Sequence, residues 1–548
     1  GGNFLLFFNC KMCQTDTILF KFVEHIIFKT MHFIKISRSL AFVILLISAT
    51  CAAQTIKVVG NVDLANTTID KNIYGHFAEH LGRCIYGGIY VGEDNKKIPH
   101  TDGIRNDVVA ALKELKVANL RWPGGCFADT YQWKNGIGPK ESRPSMSNSW
   151  WGGVTEDNSF GTHEFLDLCE KIGAEPYMAA NVGSGTVQDM SNWITYVNHP
   201  GGSPMSELRK KNGREKPWNI KLWGVGNEAW GCGGNMTAEY YSNVYKQYAT
   251  FMNDYSDSAK IFKIASGATD DSYDWTETLL KNIPGKQVHA LALHHYSVIS
   301  WTNKGPATNF DQGLYASTMF EASKMEEMVT RHSTIMDKYD PEKKIALFVD
   351  EWGGWYDVEK GTNPGFLYQQ NTMRDAMIAG LTLNIFNNHA DRVRGANLAQ
   401  IVNVLQAVIL TNEEKMILTP TYHVMKMYNV HQDAKLIPLQ FQSPDYVFEN
   451  KKMKAVSVSA SKAASGDVNV SLTNIDYSKT HEVEIDLRGE TLSKASAQIL
   501  TSAKITDHNT FESPNMVKNV PYKDITFVNG KLKLKLPPFS VVVVNLKK

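Results

Sequence analysis

The sequence has 548 residues, more than one compact core usually contains, so two domains or one large barrel with an appendage are expected. Its 57 basic residues balance 56 acidic residues and leave a formal net charge of +1. This balance gives no electrostatic reason to expect a nucleic acid or an anionic membrane as a partner. A hydrophobic content of 43% with 21% charged residues is typical of a soluble globular protein.

The N-terminal segment is interpreted as sequence that precedes the folded protein. Residues 1–30 do not begin with Met and are read as upstream or non-native sequence. From Met31, basic residues precede a short apolar run at 40–47 and then small residues, a pattern typical of a secretory signal peptide. The run is too short to span a bilayer, and the residues before Cys51 do not favour a lipid anchor. We therefore expect a signal peptide at 31–53 and a secreted or periplasmic protein.

Residues 72–430 alternate short apolar segments with amphipathic helical segments. Apolar strands separated by helices predict a parallel sheet that is buried on both faces. About eight such units favour a (β/α)8 barrel over an open doubly wound sheet, and no G-x-G-x-x-G follows the first strand. The predicted α/β fold is therefore a catalytic barrel whose strands include residues 117–122, 175–182, 220–227, 260–267, 288–295, 343–351 and 393–400.

The pattern changes after residue 430. Residues 431–548 contain segments in which apolar and polar residues alternate, such as AVSVSA and KLKLKL, separated by turn-rich stretches. This alternation is typical of strands with one buried face and predicts a C-terminal all-β sandwich. The segment 54–71, which contains TIKVVGNVDL, is expected to add a strand to that sandwich.

Two glutamates stand at the ends of predicted barrel strands. Glu228 follows the strand in WGVGNEAW, and Glu351 ends the strand in FVDEWGG. In a (β/α)8 barrel the active site is built at the carboxyl ends of the strands, so both side chains are expected at the same face. A single carboxylate there could be a salt-bridge partner, but two glutamates flanked by Trp and Gly favour a catalytic pair.

Two carboxylates are what retaining glycoside hydrolysis requires. One carboxylate attacks the anomeric carbon to form a glycosyl-enzyme, and the other protonates the leaving oxygen and then activates water. Asn227, directly before Glu228, is a candidate donor to a substrate hydroxyl beside the anomeric centre. Loss of the charge on Glu351 after the attack would lower the pKa of the acid/base for its second role.

From about residue 66 to its end, the sequence resembles glycoside hydrolase family 51, the α-L-arabinofuranosidases, a retaining family with a barrel and two catalytic glutamates. Asn227-Glu228 is similar to the family's acid/base motif, and Asp350-Glu351-Trp352 is similar to its nucleophile motif. Further segments resemble family motifs in the same order, namely YGHFAEHLGR at 74–83, RWPGGCF at 121–127, HHY at 294–296 and LTPTYH at 418–423. The resemblance implies exo-acting release of α-L-arabinofuranose from arabinoxylan, arabinan or derived oligosaccharides.

The resemblance also implies a set of residues around the sugar. Besides the two glutamates, the expected substrate-binding residues are Glu79, Arg121, Cys126, Trp151, Asn227, His294, Tyr296, Trp355 and Gln400. Among them, Tyr296 is expected to donate a hydrogen bond to the nucleophile, and the two tryptophans are expected to form walls of the furanose site.

Several of these residues have a second interpretation. Glu79 could pair with Arg83 or Arg121 instead of binding arabinose hydroxyls. Arg121 could form a purely structural ion pair instead of orienting a catalytic carboxylate. Trp150 fits the position assigned to Trp151 equally well.

No cofactor is expected, and the histidines lack metal-ligand spacing. Adjacent His294 and His295 would point to opposite sides of a strand. The cysteines after the predicted signal peptide are too sparse for a disulfide framework. Many family members carry Asn at the position of Cys126, and because a thiol donates weakly, this sugar contact could be missing or replaced.

Two alternative functions remain open at this point. The first is another retaining glycosidase, such as an endoglucanase or a β-xylosidase. The second is a non-catalytic carbohydrate-binding protein, against which the presence of both glutamates argues. The expected partners are arabinose-containing plant polysaccharides or oligosaccharides and further copies of the chain in a homo-oligomer, with neither nucleic acid nor a stable membrane anchor.

Overall fold

The computed structural model describes residues 55–548, so the upstream segment 1–30 and the signal peptide 31–53 predicted above lie outside the described residues. Within the described part, a closed barrel of parallel strands confirms the predicted (β/α)8 fold. In chain order its strands β1 to β8 are Gly75–Phe77, Asn119–Trp122, Glu175–Ala180, Leu222–Val225, Phe262–Thr269, Ala290–Ser297, Ala346–Gly354 and Val393–Ala399.

Helices follow the barrel strands along the chain. Several begin after a Thr, Ser or Asp whose side-chain oxygen accepts a backbone N–H of the first turn, as Thr186, Ser203, Thr237 and Asp311 do. The helices α1 to α9 are Asn106–Leu115, Thr162–Ile172, Val187–Asn198, Pro204–Lys211, Ala238–Thr250, Tyr273–Asn282, Gln312–Tyr339, Met373–Asn388 and Pro420–Tyr428.

The barrel interior is packed with side chains in its amino-terminal half. Tyr177, Leu222, Ile264, Ala292 and Phe348 belong to one buried apolar cluster, to which the first halves of β3 to β7 contribute. Because this cluster fills the barrel, open space for a ligand is left at the carboxyl ends of the strands.

The C-terminal domain contains two packed sheets. The five-stranded sheet has the order Leu439–Phe441, Ile56–Asn61, His481–Arg488, Lys531–Leu536 and Ile525–Val528. The six-stranded sheet has the order Lys435–Leu436, Val456–Lys462, Val468–Asn474, Ser540–Lys547, Lys494–Leu500 and Val520–Tyr522. Together with the barrel, this strand-rich domain confirms the predicted fold class. The early strand Ile56–Asn61 runs parallel to His481–Arg488 inside the first sheet.

Short hairpins complete the described strands. They pair His100–Thr101 with Ile104–Arg105, Met146–Ser147 with Thr155–Glu156, Ile409–Asn412 with Lys415–Leu418, and Asp445–Phe448 with Lys451–Lys454.

Helix α8 fixes the barrel to the sandwich. Almost all of its residues are buried, as expected for a helix that is covered on every side. Asn384 Oδ1 accepts hydrogen bonds of 2.8 Å from the hydroxyls of both Ser459 and Ser471, which belong to the six-stranded sheet. The sandwich thus packs against the barrel, while every site residue predicted from the sequence lies in the barrel. Among residues 55–548, no helix has the length and apolar character needed to cross a membrane.

Candidate active site

Glu228 and Glu351 both lie at the carboxyl-terminal mouth of the barrel. Glu228 follows β4, and Glu351 lies near the end of β7. The pairing of β6 with β7 shifts by one residue, since Ala292 pairs with Phe348 but His294 pairs with Glu351. This β-bulge brings the side chains of Asp350 and Glu351 to the same side of the strand. Regular alternation would point consecutive side chains in opposite directions.

The distance between the two glutamates suits direct attack on a sugar. A carboxylate oxygen of Glu228 and one of Glu351 lie within 4.8 Å of each other. The carboxyl groups of retaining glycosidases are about 5–5.5 Å apart, whereas those of inverting enzymes are about 6.5–9.5 Å apart because a water must fit between them. The spacing therefore favours a retaining reaction.

Arg121 connects several residues of the site through one buried guanidinium. Its Nη1 donates to Glu351 Oε1 at 2.8 Å, and its Nη2 donates to Asn227 Oδ1 at 2.7 Å. Its Nε lies 3.6 Å from Asp350 Oδ2. The guanidinium packs on the ring of Phe77, with its carbon 4.6 Å from the ring centroid. Arg121 thus divides its contacts between two carboxylates instead of forming a bidentate pair with one.

His294 lies between Glu228 and Asp350. Its Nδ1 is 2.9 Å from Glu228 Oε1, and its Nε2 is 3.1 Å from Asp350 Oδ1. Burial alone would lower the pKa of His294, but the charge of Glu351 and the hydrogen bonds to the other two carboxylates raise it to about 10. The imidazole is therefore a cation near neutral pH. His295 faces the other way, with its Nδ1 2.6 Å from Asp270 Oδ1.

The two glutamates differ in their surroundings. Burial raises the pKa of Glu228, and although the hydrogen bond from His294 opposes this shift, the charge of Glu351 adds to it. Such an environment keeps a proton on a carboxyl group, as a general acid requires. Glu351 Oε2 accepts a 2.8 Å hydrogen bond from the Tyr296 hydroxyl and Oε1 accepts the bond from Arg121, so both of its oxygens are held by donors.

Glu79 lies at another side of the pocket and pairs with neither arginine proposed from the sequence. Its Oε1 accepts hydrogen bonds from the backbone N–H groups of Gly125 and Phe127 and from Trp151 Nε1 at 2.9 Å. Its Oε2 accepts from Gln400 Nε2 at 2.8 Å. Burial and the charge of Glu351 raise the pKa of Glu79 to about 7.

The tryptophans are arranged around this pocket at different depths. Trp151 is partly buried and contacts Glu79, whereas Trp150 is 42% exposed. Trp355 packs edge-on against Tyr296, with ring centroids 5.1 Å apart. The structure therefore brings Trp151 and Trp355, rather than Trp150, into contact with other predicted site residues.

Comparisons with known proteins agree with this geometry. Family models described as the α-L-arabinofuranosidase 1 domain and the α-L-arabinofuranosidase C-terminal domain match residues 111–313 and 350–540. An intracellular exo-α-L-arabinofuranosidase from Bacteroides ovatus is 51% identical over 498 residues, which cover 90% of this chain and 96% of the relative. The crystal structure of the family 51 arabinofuranosidase from Xanthomonas axonopodis pv. citri is 46% identical with a TM-score of 0.88, and the match covers 90% of this chain and all 100% of that one. The chain belongs to the family 51 α-L-arabinofuranosidases.

A more distant member of the family has the same fold. The α-L-arabinofuranosidase from Thermotoga maritima, solved as an arabinose complex, is 31% identical with a TM-score of 0.78. The match covers 90% of this chain and 99% of that one. Membership in this family makes the protein a glycoside hydrolase of the retaining type.

The predicted location is wrong. The relative that is 51% identical over nearly the whole chain is named an intracellular enzyme, which contradicts a secreted or periplasmic location. The prediction depended only on the short basic and apolar pattern at 31–53. So short a pattern carries less weight than similarity over 498 residues, and the signal peptide is left without support.

The sugar contact considered for Cys126 cannot be a thiol hydrogen bond. Cys126 forms a disulfide with Cys232, and the Sγ of Cys232 lies 3.5 Å from Glu228 Oε2. A disulfide sulfur has no S–H and cannot donate a hydrogen bond. The two cysteines are 106 residues apart in the sequence, and only the folded barrel brings the loops after β2 and β4 together.

Two groups of side chains in the described chain are close enough to be considered as metal ligands. In the first, Glu228, His294 and Glu351 lie within 4.8 Å of one another, and both imidazole nitrogens are hydrogen-bonded to carboxyl groups of the site. The second combines Glu228 with Cys126 and Cys232, whose sulfurs are bonded to each other. A disulfide has no thiolate to offer a metal ion, so the second group lacks the sulfur ligands of such a site.

Three residues that support the site were not singled out from the sequence. The buried carboxylate of Asp129 accepts hydrogen bonds from the backbone N–H groups of Val182, Gly183 and Asn227 at 2.7, 2.7 and 3.0 Å. The Tyr177 hydroxyl donates to Asp350 Oδ2 at 2.7 Å. The position of Asp350 beside Glu351 was the one available signal, but regular strand alternation argued against a shared side.

Replacing His294 by Gln is expected to move the basic limb of the kcat/KM profile to higher pH. The imidazolium lowers the pKa of Glu228, so without it the Glu228 carboxyl keeps its proton to higher pH. The limb is measured from kcat/KM against pH for both proteins. His389, which contacts Glu326 Oε1 at 2.7 Å just after α8, is a matched control, and His389→Gln should leave the limb in place. A limb that moved to lower pH in His294→Gln would contradict this account.

Reduction of the disulfide is expected to destabilise the enzyme. A crosslink of this kind typically contributes about 2–4 kcal/mol by restricting the unfolded chain. A reductant should therefore lower the midpoint of thermal unfolding of the wild type but not that of the Cys126→Ser/Cys232→Ser double variant. Cys169→Ser removes a buried free cysteine and should keep the response. An unchanged wild-type midpoint, with thiol titration proving full reduction, would refute the prediction.

Proposed function

We propose that the protein removes terminal α-L-arabinofuranosyl residues by double displacement, with Glu351 as the nucleophile and Glu228 as the acid/base. The observation that carries this proposal is the approach of the two carboxylates to within 4.8 Å in unlike surroundings. Glu228 is in an environment that retains a proton, and Glu351 is held by a guanidinium and a phenol hydroxyl. This arrangement combines a nucleophile with a proton donor on one sugar.

In the first step, an oxygen of Glu351 forms a bond to the anomeric carbon while the glycosidic bond breaks. Glu228 gives its proton to the leaving oxygen in the same step. Asn227 Nδ2 is positioned to donate a hydrogen bond to the hydroxyl next to the anomeric carbon. Arg121 holds the Oδ1 of Asn227, and the Nδ2 has only a weak contact of 3.6 Å with Cys232 Sγ. A donor at this position stabilises the positive charge that develops on the sugar through a strengthening hydrogen bond.

In the second step, Glu228 takes a proton from water while the water oxygen bonds to the anomeric carbon. The bond from that carbon to Glu351 breaks, which releases arabinose and regenerates the Glu351 carboxylate. The charge of Glu351 is one of the causes that raise the pKa of Glu228. Because that charge disappears when the glycosyl-enzyme forms, the pKa of Glu228 falls and the carboxylate can act as a base. The arrangement therefore changes the role of Glu228 between the steps without moving it.

The remaining predicted residues support binding of a terminal arabinose. Gln400 Oε1 is buried and has no partner among the described residues, although Gln400 Nε2 is bonded to Glu79. A buried acceptor of this kind needs a donor, which a sugar hydroxyl supplies. With Trp151 and Trp355 as walls, Glu79 and Gln400 form the polar end of the pocket.

The substrates that we propose are arabinoxylan, arabinan and their oligosaccharides. The name of the Bacteroides relative favours the oligosaccharides, since these reach an intracellular enzyme more readily than polymers do. The homo-oligomer expected from the resemblance stays a prediction, which the molar mass in solution tests by light scattering.

Substitutions of the two glutamates should have different consequences. Glu351→Gln should lower kcat roughly ten-thousandfold or more on every substrate, because no covalent intermediate forms. Glu228→Ala should slow oligosaccharides far more than nitrophenyl arabinofuranoside, because an activated leaving group does not need the proton. Glu239→Gln, on the exposed face of α5, is the control and should keep wild-type rates. If Glu228→Ala hydrolysed an oligosaccharide at the wild-type rate, the assignment of Glu228 as the acid/base would be wrong.

A panel of nitrophenyl glycosides separates the proposal from its rivals. We expect strong cleavage of the α-L-arabinofuranoside with retention of configuration in the first-formed product. Cleavage of a β-xyloside or a cellulosic substrate without cleavage of the arabinofuranoside would favour another retaining glycosidase. Binding of arabino-oligosaccharides without turnover would favour a carbohydrate-binding protein.

A further inference from the structure

A cavity of about 380 Å³ lies where loops of the barrel meet a loop of the C-terminal domain. This volume is within the range of about 300–1,000 Å³ that is typical of small-molecule sites. Its lining combines a guanidinium with aromatic rings and side-chain amides, including Arg83, Asn363, Phe366, Tyr368, Asn412 and Phe511. Within the described chain, Arg83 is the one charged residue that lines it.

The cavity is on the side of the barrel mouth away from the acid/base. Arg83 comes from the loop after β1, Tyr368 from the loop after β7, and Asn412 from the segment after β8. In the closed ring of eight strands, β8 is opposite β4, the strand that Glu228 follows. The group from which arabinose is cleaved must lie on the side of the acid that protonates it. A ligand in this cavity is therefore not the leaving group of the reaction.

The Arg83 guanidinium has donors left for a ligand. Its Nη2 donates to the backbone oxygen of Thr411, and its carbon is 5.9 Å from the centroid of the Tyr368 ring. Arg83 forms no ion pair with any residue of the described chain. Glu359, which lies outside the lining, is bonded through Oε1 to the backbone N–H of Gln370 at 3.1 Å. Because a guanidinium has five N–H donors in a planar fork, Arg83 can bind a carboxylate from solution through two parallel hydrogen bonds.

The aromatic rings of the cavity are fixed by packing yet remain partly exposed. Tyr368 and Phe511 pack against a small buried cluster of Ala407, Leu410 and Ile417. Phe366 packs so closely on Gly152 that a Cβ at this glycine would lie 2.7 Å from the Phe366 Cε1. Fixed rings lose little conformational entropy on binding, and their faces suit the C–H surface of a sugar ring.

Two amides at the rim are available for hydroxyl groups. Asn363 Oδ1 accepts the backbone N–H of Gly365 at 2.9 Å, whereas its Nδ2 has no hydrogen-bond partner among residues 55–548. The side chain of Asn412 is exposed and likewise has no partner in that part of the chain. An amide offers both donors and an acceptor, so it can bind a hydroxyl in either sense.

We propose that this cavity is a second, non-catalytic carbohydrate site that binds a uronic acid unit. Arg83 binds the carboxylate, Tyr368 and Phe511 contact the ring, and Asn363 and Asn412 bind hydroxyls. The chemistry of the lining specifies a carboxylate on a ring. The choice of a uronic acid rests on the proposed function, since the carboxylated rings of polysaccharide fragments are uronic acids. The site would hold acidic fragments on the enzyme independently of the catalytic pocket.

The test uses two xylo-oligosaccharides of the same length, one bearing a glucuronic acid and both without arabinose, so that the proposed reaction cannot cleave them. In isothermal titration of the wild-type enzyme, the acidic oligosaccharide should bind at least tenfold more tightly, and high ionic strength should reduce the difference. Arg83→Gln should weaken its binding about tenfold or more, because charge-assisted hydrogen bonds are lost. Arg488→Gln removes the same charge from a side chain that is 60% exposed on the five-stranded sheet, and should leave the affinity unchanged.

Phe511→Ala is the second variant, because it changes the ring surface and leaves the guanidinium in place. It should weaken binding of the acidic oligosaccharide several-fold. Both variants should keep the wild-type thermal midpoint and the wild-type kcat/KM on nitrophenyl arabinofuranoside. The acidic oligosaccharide should not compete with that substrate, because it binds away from the catalytic pocket.

Equal affinity for the acidic and neutral oligosaccharides, or unchanged binding in both Arg83→Gln and Phe511→Ala, would overturn the assignment. Competition with the nitrophenyl substrate would also overturn it by placing the ligand in the catalytic pocket. A hydroxycinnamic acid that bound through Arg83 while the glucuronic acid did not would refute the choice of a uronic acid. An enzyme that bound the acidic oligosaccharide as expected but did not cleave arabinofuranosides would instead refute the proposed function.

Discussion

The site depends on which of its four carboxyl groups are paired with its two buried cations. Glu79, Glu228, Asp350 and Glu351 are close together and largely removed from water, which is costly for any charge without a partner. Arg121 and His294 are the cations in contact with Glu228, Asp350 and Glu351, whereas neither of them is hydrogen-bonded to Glu79. Burial opposes the ionisation of Asp350, but the charge of Arg121 and the hydrogen bond from His294 lower its pKa below the usual value. The carboxyl groups without such full compensation, Glu228 and Glu79, have raised pKa values.

This unequal distribution separates the chemical roles of groups that are alike in the sequence. Asp350 serves as a permanent anion that keeps His294 charged, and His294 in turn moderates the pKa of Glu228. The disulfide at Cys232 adds an apolar neighbour beside Glu228, which excludes water without supplying a charge. The raised pKa of Glu228 therefore results from several buried neighbours, and no single contact determines it.

The sequence was sufficient for the architecture and for the position of the two glutamates at the barrel mouth, and the reason is physical. A barrel strand that is buried on both faces leaves a long apolar run, and its carboxyl end must face the mouth, so Glu228 and Glu351 could be located from position alone. The bulge in β7 could not be predicted, because no Gly or Pro marks it in residues 346–351. The role of Asp350 depends on that bulge. The roles of Cys232 and Asp129 depend on loops that meet only in three dimensions.

The pairing of the strand Ile56–Asn61 affects how the protein folds during its synthesis on the ribosome. Its neighbours in the sheet, Leu439–Phe441 and His481–Arg488, are made only after the whole barrel has been translated. At synthesis rates of about 5–20 residues per second, this strand waits roughly 20 to 80 seconds without a partner. A nascent strand with unpaired backbone groups can join other chains, so shielding by a chaperone during this interval would matter more here than in a protein whose sheets form between sequence neighbours.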